Sequence, residues 1–389
     1  MTLSKLPLSY CTNVHPGRTI SEVDLGLGKY TANVRRNLDT DLAAGLWLAR
    51  SVVTQMLATD GAIARFADRL SERNLSCHTL NAFPFGDFHS ERVKEQVYVP
   101  DWTTSERLDY SIDCASVLAK LIPSDRDGSI STLPLGTTLL PHNAGFHDDC
   151  ARRLIDCAVR LKRLQETSGR TIRLAIEPEP LCDLQHTDES IQFFQRLRAL
   201  ASDADQLGTV NEFIGVCFDV CHQSIEFEDV AASIASLNDA QIRINKIHIT
   251  CAIELTDPAD NFEARTALAQ YVEPRYLHQT FAKMPSGEIS TRVDLTTEDV
   301  LRSPADDFMQ ADVWRVHFHV PVNVESLGPL STTRPDLIRA LAAVKTLLYA
   351  PHLEVETYTW EVLPGGSANS LVDGLTAEVT ATQQLLAEL

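Results

Sequence analysis

Several apolar runs in this sequence end on, or enclose, a residue that can handle a proton or a metal ion. Residues 172–180 read IRLAIEPEP and place Glu177 at the close of a β-branched run. Residues 215–222 read GVCFDVCH, with Asp219 at the next such end and His222 three positions on. Residues 244–250, INKIHIT, carry His248 within an apolar run. Residues 352–360, HLEVETYTW, carry Glu354 and Glu356 two apart, hence on one side of an extended strand. Taken singly, each has a plainer reading. A carboxylate after a strand is commonly a helix cap or loop residue, and a lone histidine in a strand is commonly a hydrogen-bonded core residue. Together, in the order Glu, Asp, His, Glu, they are harder to dismiss. Buried carboxylates gathered in one place repel and are costly to desolvate unless a cation neutralises them. Three carboxylates and an imidazole suit a divalent ion of intermediate hardness: Mn²⁺, Mg²⁺, Co²⁺ or Zn²⁺.

Other polar residues are candidates for the surroundings of such a site. His317 and His319 form an H-x-H pair whose side chains share a face in a strand; structural histidines and a second metal or anion contact are equally weighted readings. His15 in NVHPG and Asn81, Asp87 and His89 in LNAFPFGDFH follow early strands and are candidate lining residues. Phe83, Phe85, Phe88, Trp102 and Trp360 are candidates for an apolar wall, with core packing the stronger reading for Phe83 and Trp102. Lys94, Arg275 and Arg315 are the cations to test against a phosphate, each with a surface ion pair as its plainer role. Cys217 and Cys221 give only C-x-x-x-C, a weak zinc signal. The nine cysteines, odd in number and scattered, do not resemble a disulfide framework.

The elements that must position these residues are short apolar runs alternating with amphipathic stretches. Strand candidates are 8–14, 45–50, 76–83, 128–135, 172–177, 213–219, 244–250, 313–320 and 352–357. In 148–166, Cys150, Leu154, Cys157, Ala158 and Leu161 recur at helical spacing, and 188–203, 227–237, 333–348 and 370–388 read the same way. This alternation predicts a parallel sheet covered on both faces, and its repeats predict a (β/α)₈ TIM barrel with chemistry at the carboxyl ends of its strands. An open doubly wound sheet is the alternative. Residues 252–312, rich in Asp, Pro and Thr, break the alternation and read as an insertion before the last strand of a single domain spanning 1–389. There are nine strand candidates for eight places, so one lies outside the barrel, and 313–320 is the first candidate for it, grouped with the insertion. No G-x-G-x-x-G or P-loop follows a strand, which argues against dinucleotide and nucleoside triphosphate binding. The charge balance is 34 − 53 = −19, which argues against nucleic acid and anionic membranes as partners. No apolar run reaches the roughly 20 residues of a membrane span, nor does the first segment read as a signal peptide, so a cytoplasmic protein is expected, compatible with a homo-oligomer.

The Glu…Asp-x-x-His…His…Glu series resembles that of the xylose-isomerase-like TIM-barrel superfamily of sugar phosphate isomerases and epimerases. A closer resemblance is to EboE-type metabolite-traffic proteins, associated with prenylated cyclitol precursors. It rests on LSYCTNVHPG (8–17), TLNAFPFGDFH (79–89), KEQVYVPDW (94–102), SISTLPLG (129–136), IEPEP (176–180) and GVCFDVCH (215–222), and on EPRYLHQ (273–279), WRVHFHVP (314–321) and LEVETYTW (353–360). The resemblance implies metal ligands at Glu177, Asp219, His248 and Glu356. Glu356 is preferred to Glu354 because E-T-Y resembles the E-P-F closing the matching epimerase strand. It implies Glu177 and Glu356 as the catalytic acid/base pair and His222 as a contact to substrate oxygen. His317, His319, His15, Asn81 and His89 complete the candidate substrate-binding set. An arginine common in sugar epimerases has no counterpart in CAIELTD (251–257), which argues against a standard ketose. The expected activity is proton abstraction next to a carbonyl of a sugar- or cyclitol-like molecule. The alternatives are a metabolite-binding or transport-assisting protein without catalysis, and a multi-zinc phosphoester hydrolase of the endonuclease IV kind.

Overall fold

The computed structural model describes residues 3–4, 6–302, 304–364 and 371–389. Residues 303 and 370, which fall within the predicted insertion and the last predicted helix, lie outside the described residues. Strands in chain order are β1 (Leu8–Cys11), β2 (Leu42–Trp47), β3 (Leu75–Ser76), β4 (Thr79–Asn81), β5 (Gly128–Thr132), β6 (Ile172–Ile176), β7 (Ile214–Asp219), β8 (Ile244–Ile249), β9 (Cys251–Thr256), β10 (Thr280–Lys283), β11 (Ile289–Arg292), β12 (Val313–Val320), β13 (Ser326–Leu327), β14 (Leu330–Thr332) and β15 (His352–Val355).

The first eight and the last of these form one parallel sheet in the order β1-β15-β8-β7-β6-β5-β4-β2-β3, and β1 also pairs with β2, closing a barrel. β3 and β4 share one place beside β2, so the barrel has eight positions, as the alternation predicted. These strands are buried along nearly their whole length, as parallel strands covered by helices must be. Helices form the outer ring. The one over Phe146–Ser168 buries Cys150, Leu154, Cys157, Ala158 and Leu161, the face read from spacing. It stops at Gly169, whose φ of 69° is the left-handed conformation that glycine adopts without a Cβ penalty. The helix over Thr187–Asp203 starts where Glu189 reaches back to accept the backbone N–H groups of Gln185 and His186, each at 2.9 Å. Among the described residues no helix is long and apolar enough to cross a membrane.

A second, antiparallel sheet runs β11-β10-β12-β9-β14-β13. β9 leaves the barrel one residue after β8, and the sheet returns the chain to the helix Arg334–Val344 and then β15. Thus 313–320 pairs outside the barrel, and the sheet continues beyond residue 312 through β14. The β12–β9 register shifts between Val316 and Val320, the stretch that carries His317 and His319.

Candidate metal centre

Glu177 follows β6, Asp219 ends β7, His248 lies near the end of β8 and Glu356 follows β15. The barrel brings their donors together at its carboxyl end. His248 Nδ1 is 2.9 Å from Glu177 Oε1 and 3.4 Å from Asp219 Oδ2. Donor atoms of Asp219, His248 and Glu356 lie within 4.8 Å of one another. All four side chains are buried. Asp219 Oδ1 is committed to structure, accepting from the His222 backbone N–H at 3.0 Å and the Thr250 hydroxyl at 2.8 Å. Its Oδ2 and Glu177 Oε2 have no hydrogen-bond partner. Asn13 Nδ2 donates to Glu356 Oε1 at 2.5 Å, and His89 contacts the Asn13 carbonyl at 2.7 Å from behind.

The protonation pattern shows what these groups lack. Against burial, which would raise it, His222 and His248 hold the Asp219 carboxyl well below its ordinary range. Against burial, which would lower it, the neighbouring Cys217 and the charge of Glu177 raise the His248 imidazole. A proton on His248 thus neutralises the facing carboxylates. The orphaned oxygens and the His248 Nδ1 form a buried, anionic, N/O donor set that fits a divalent cation.

A second group adjoins the first. His222, His317 and His319 converge with Nε2–Nε2 distances of 3.1 Å (His222 to His317) and 3.2 Å (His317 to His319). Each ring turns its other nitrogen to an oxygen. His222 Nδ1 faces the Pro178 carbonyl at 3.0 Å, His317 Nδ1 faces Gln279 Oε1 at 2.7 Å, and His319 Nδ1 faces the Glu356 carbonyl and Oε2, both at 2.8 Å. Oxygen acceptors at all three Nδ1 positions assign the proton there, so three Nε2 atoms point inward. Burial and the charges of His222 and His319 hold His317 well below the usual imidazole range. Asp219 belongs to both groups, since its donors also lie within 4.8 Å of those of His222 and His319.

Above both groups is a recess partly open to solvent. Glu177, Glu179, Glu356, His222, His317 and His319 form its polar floor, and Asn13 and Asn81 also reach it. Phe83, Phe88, Tyr98, Tyr276 and Tyr358 form its walls. Phe85, Trp102 and Trp360 lie elsewhere, the indoles bonded to Thr132 and Glu378. His15 is packed between the rings of Tyr10 and Tyr30, away from the cavity, and His89 acts behind Asn13. Lys94 reaches the rim but is paired with Asp294, while Arg275 and Arg315 are paired with Glu361 and with Glu254 and Asp336. Cys217 is beside Glu177 and His248, and Cys221 beside His317 and His319, with both thiols pushed up by burial, to about 12 and about 11.

Glu179 is a lining residue that sequence reasoning passed over. Burial and the charge of Glu177 raise its carboxyl to about 8, against the hydrogen bond donated by Tyr98. Tyr98 reaches Oε1 at 2.9 Å, and Oε2 has no partner. A signal was present: in IEPEP, Glu177 and Glu179 have the period of two that put Glu354 and Glu356 on one face.

No protein-family model and no curated protein matches the sequence. Solved structures do. A xylose isomerase-like TIM-barrel protein from Mycobacterium smegmatis in complex with magnesium is 12% identical, with a TM-score of 0.53 over 100% of this chain and 99% of that one. The IolI protein with a bound zinc atom is 10% identical, with a TM-score of 0.51 over 98% and 99% of the two chains. A D-tagatose 3-epimerase-like protein is 10% identical, with a TM-score of 0.50 over 98% of each. At such identities the likeness is one of architecture. The fold is that of the xylose isomerase-like TIM barrels.

Proposed function

We propose that the protein is a metal-dependent isomerase or epimerase of an uncharged sugar- or cyclitol-like molecule. The observation carrying this reading is the convergence of Glu177, Asp219, His248 and Glu356 at one end of the barrel, with Glu177 and Glu356 both opening onto the cavity. Structural neighbours described as magnesium- and zinc-bound, and as epimerase-like, are in keeping with it.

A divalent ion held by those four residues would supply Lewis-acid stabilisation of charge developing on a substrate oxygen. Glu177, whose carboxylate opens onto the cavity, serves as base for the proton on the carbon next to a carbonyl. The C–H bond breaks and its electron pair moves toward the carbonyl oxygen. Glu356, oriented by Asn13 and His319, delivers a proton taken from solvent to the opposite face of that carbon. In an isomerisation it delivers it to the former carbonyl carbon, as the neighbouring hydroxyl proton passes to the former carbonyl oxygen. Glu177 releases its proton to solvent. His222 orients a substrate hydroxyl, and the aromatic walls cover the ring and exclude water. The cations examined for a phosphate are each engaged by a carboxylate, which favours an unphosphorylated substrate. The finer reading, handling of a prenylated cyclitol precursor in the manner of EboE-type proteins, rests on the sequence motifs alone. The test is solvent exchange. Protein loaded with Mn²⁺ or Zn²⁺ is incubated in D₂O with a panel of sugars, inosose-like cyclitols and their phosphates, and deuterium at carbon is followed by NMR. Incorporation that disappears in Glu177→Gln is expected; no exchange across the panel sinks the isomerase reading.

The histidine triad supports a second reading, a multi-metal phosphoester hydrolase, because three inward Nε2 atoms beside the shared Asp219 could hold another cation. Metal stoichiometry separates the two. Two or three zinc ions per chain with cleavage of small phosphate esters favour hydrolysis, whereas one exchangeable Mn²⁺ or Mg²⁺ favours isomerisation.

A further inference from the structure

The two glutamates of the last barrel strand region have separate roles. We propose that Glu354 is a positioning residue that, together with Lys246 and Gly45, orients the His248 ring so that Nδ1 faces Glu177 and Asp219. This rests on the reading of Glu177, Asp219, His248 and Glu356 as a metal site.

Glu354 lies deeper in the barrel than Glu356 and is fully buried, as are Lys246 and His248. β15 and β8 pair with Glu354 directly opposite His248, so the two are cross-strand neighbours. Glu354 Oε2 is 3.2 Å from His248 Nε2 and 2.5 Å from Lys246 Nζ. Lys246 Nζ is itself directed by the Leu80 carbonyl and the Ser131 hydroxyl, both at 3.3 Å. On the other side, Glu354 Oε1 occupies the space where a side chain at residue 45 would begin: a Cβ there would meet it at 1.4 Å. Glycine is therefore required at position 45 for the carboxylate to lie where it does.

Stability alone does not call for this arrangement. The interior of such barrels is normally filled by branched apolar side chains. A buried ion pair can often be replaced by apolar residues without loss of stability. What an apolar replacement could not do is accept the His248 Nε2–H. An ionised carboxylate at Nε2 fixes the proton there and leaves the Nδ1 lone pair directed toward the carboxylates of Glu177 (Oε1, 2.9 Å) and Asp219 (Oδ2, 3.4 Å), the presentation a cation requires. Lys246 keeps Glu354 ionised and in place.

The test uses Zn²⁺ alone, on the full chain in a His317→Gln background so that the histidine triad does not contribute. Zinc affinity is measured by chelator competition, and folding by circular dichroism. Lys246→Met/Glu354→Leu, which removes the pair without orphaning the lysine, is expected to weaken binding about 10- to 100-fold. Lys246→Met/Glu354→Gln retains an acceptor and is expected to recover most of that loss. Gly45→Ala displaces the carboxylate without removing it and is expected to weaken binding about tenfold. In zinc-loaded protein labelled with ¹⁵N-histidine, long-range ¹H–¹⁵N correlations should place the His248 proton on Nε2, a readout that needs no variant of the pair to fold. A proton on Nδ1, or unchanged zinc affinity in both folded Lys246→Met/Glu354→Leu and Gly45→Ala, overturns the proposal. Asp219→Asn tests the site itself. If it binds zinc like its parent, or the parent binds none, the metal-site reading falls and this proposal with it. If Asp219→Asn abolishes binding while the Glu354 and Gly45 variants leave it intact, only the positioning role is refuted.

Discussion

Asp219→Asn separates the structural work of one carboxylate from its chemical work. Oδ1 accepts the His222 backbone N–H at 3.0 Å, capping the helix Val220–Ile225, and the Thr250 hydroxyl at 2.8 Å. Asparagine keeps that oxygen, so both hydrogen bonds survive and metal-free stability should change by no more than about 1–2 kcal/mol. Oδ2, which has no hydrogen-bond partner and faces His248 at 3.4 Å, becomes an amide nitrogen that cannot ligate a cation. Loss of an outer hydrogen-bond partner alone lowers metal affinity about 10- to 100-fold. Loss of a charged ligand should therefore lower it at least about 100-fold, or about 2.7 kcal/mol. Asp219 belongs to both donor groups, so both should weaken together, whereas His248→Gln should affect one and His317→Gln the other. The assay is metal content per chain by mass spectrometry, with chelator competition for affinity, on the wild type and the three variants. Undiminished zinc affinity in Asp219→Asn would refute the assignment of Oδ2 as a ligand. Loss from one group alone would refute its sharing.

Three further substitutions probe the scaffold around the site. Burial, reinforced by the charges of Glu228 and Glu189, raises the Glu226 carboxyl from 4.5 to about 8. Between those pH values the folded state keeps a proton that the unfolded chain has lost, so stability falls as pH rises, by about 1.4 kcal/mol per unit. Glu226→Gln should flatten that slope in urea titrations from pH 5 to 8; an unchanged slope contradicts the raised carboxyl. Glu378 accepts from Val322 N, Thr357 Oγ1 and Trp360 Nε1 at 3.1, 2.7 and 3.0 Å, tying the C-terminal helix to the site loops. Glu378→Ala should cost about 3 kcal/mol by chemical denaturation, since it strands buried donors. Arg107, fully buried, donates to the carbonyls of Pro100, Ala82 and Phe83 at 2.8, 2.8 and 3.0 Å and so holds the loop that carries the Phe83 wall. Arg107→Ala should cost at least about 3 kcal/mol in the same measurement, and a loss below about 1 kcal/mol would show that the loop is held by other contacts.

The parts of this site that could be read in advance are those governed by a local period. The runs of β6, β7, β8 and β15 end on, or enclose, an ionisable residue, so Glu177, Asp219, His248 and Glu356 could be singled out before their meeting was seen. The aromatic walls obey no such rule. Tyr98 sits in a short helix between β4 and β5, Tyr276 in a loop of the insertion and Tyr358 just beyond β15, and only tertiary packing brings them to one cavity. The H-x-H pair lies between these cases. That His317 and His319 share a face follows from strand geometry, but their meeting with His222 depends on where β12 is placed in a second sheet. That placement comes from pairing with β9, which continues from β8 and therefore starts at the barrel mouth. The inserted sheet thus grows out of the strand that carries His248 and returns two histidines to the edge of the same site. The donor set of the first group belongs to the barrel alone, whereas the second group and part of the cavity wall are completed by the insertion. Changes within the inserted sheet should therefore alter which ligand is accepted and whether a second cation is held, while leaving Glu177, Asp219 and His248 in place.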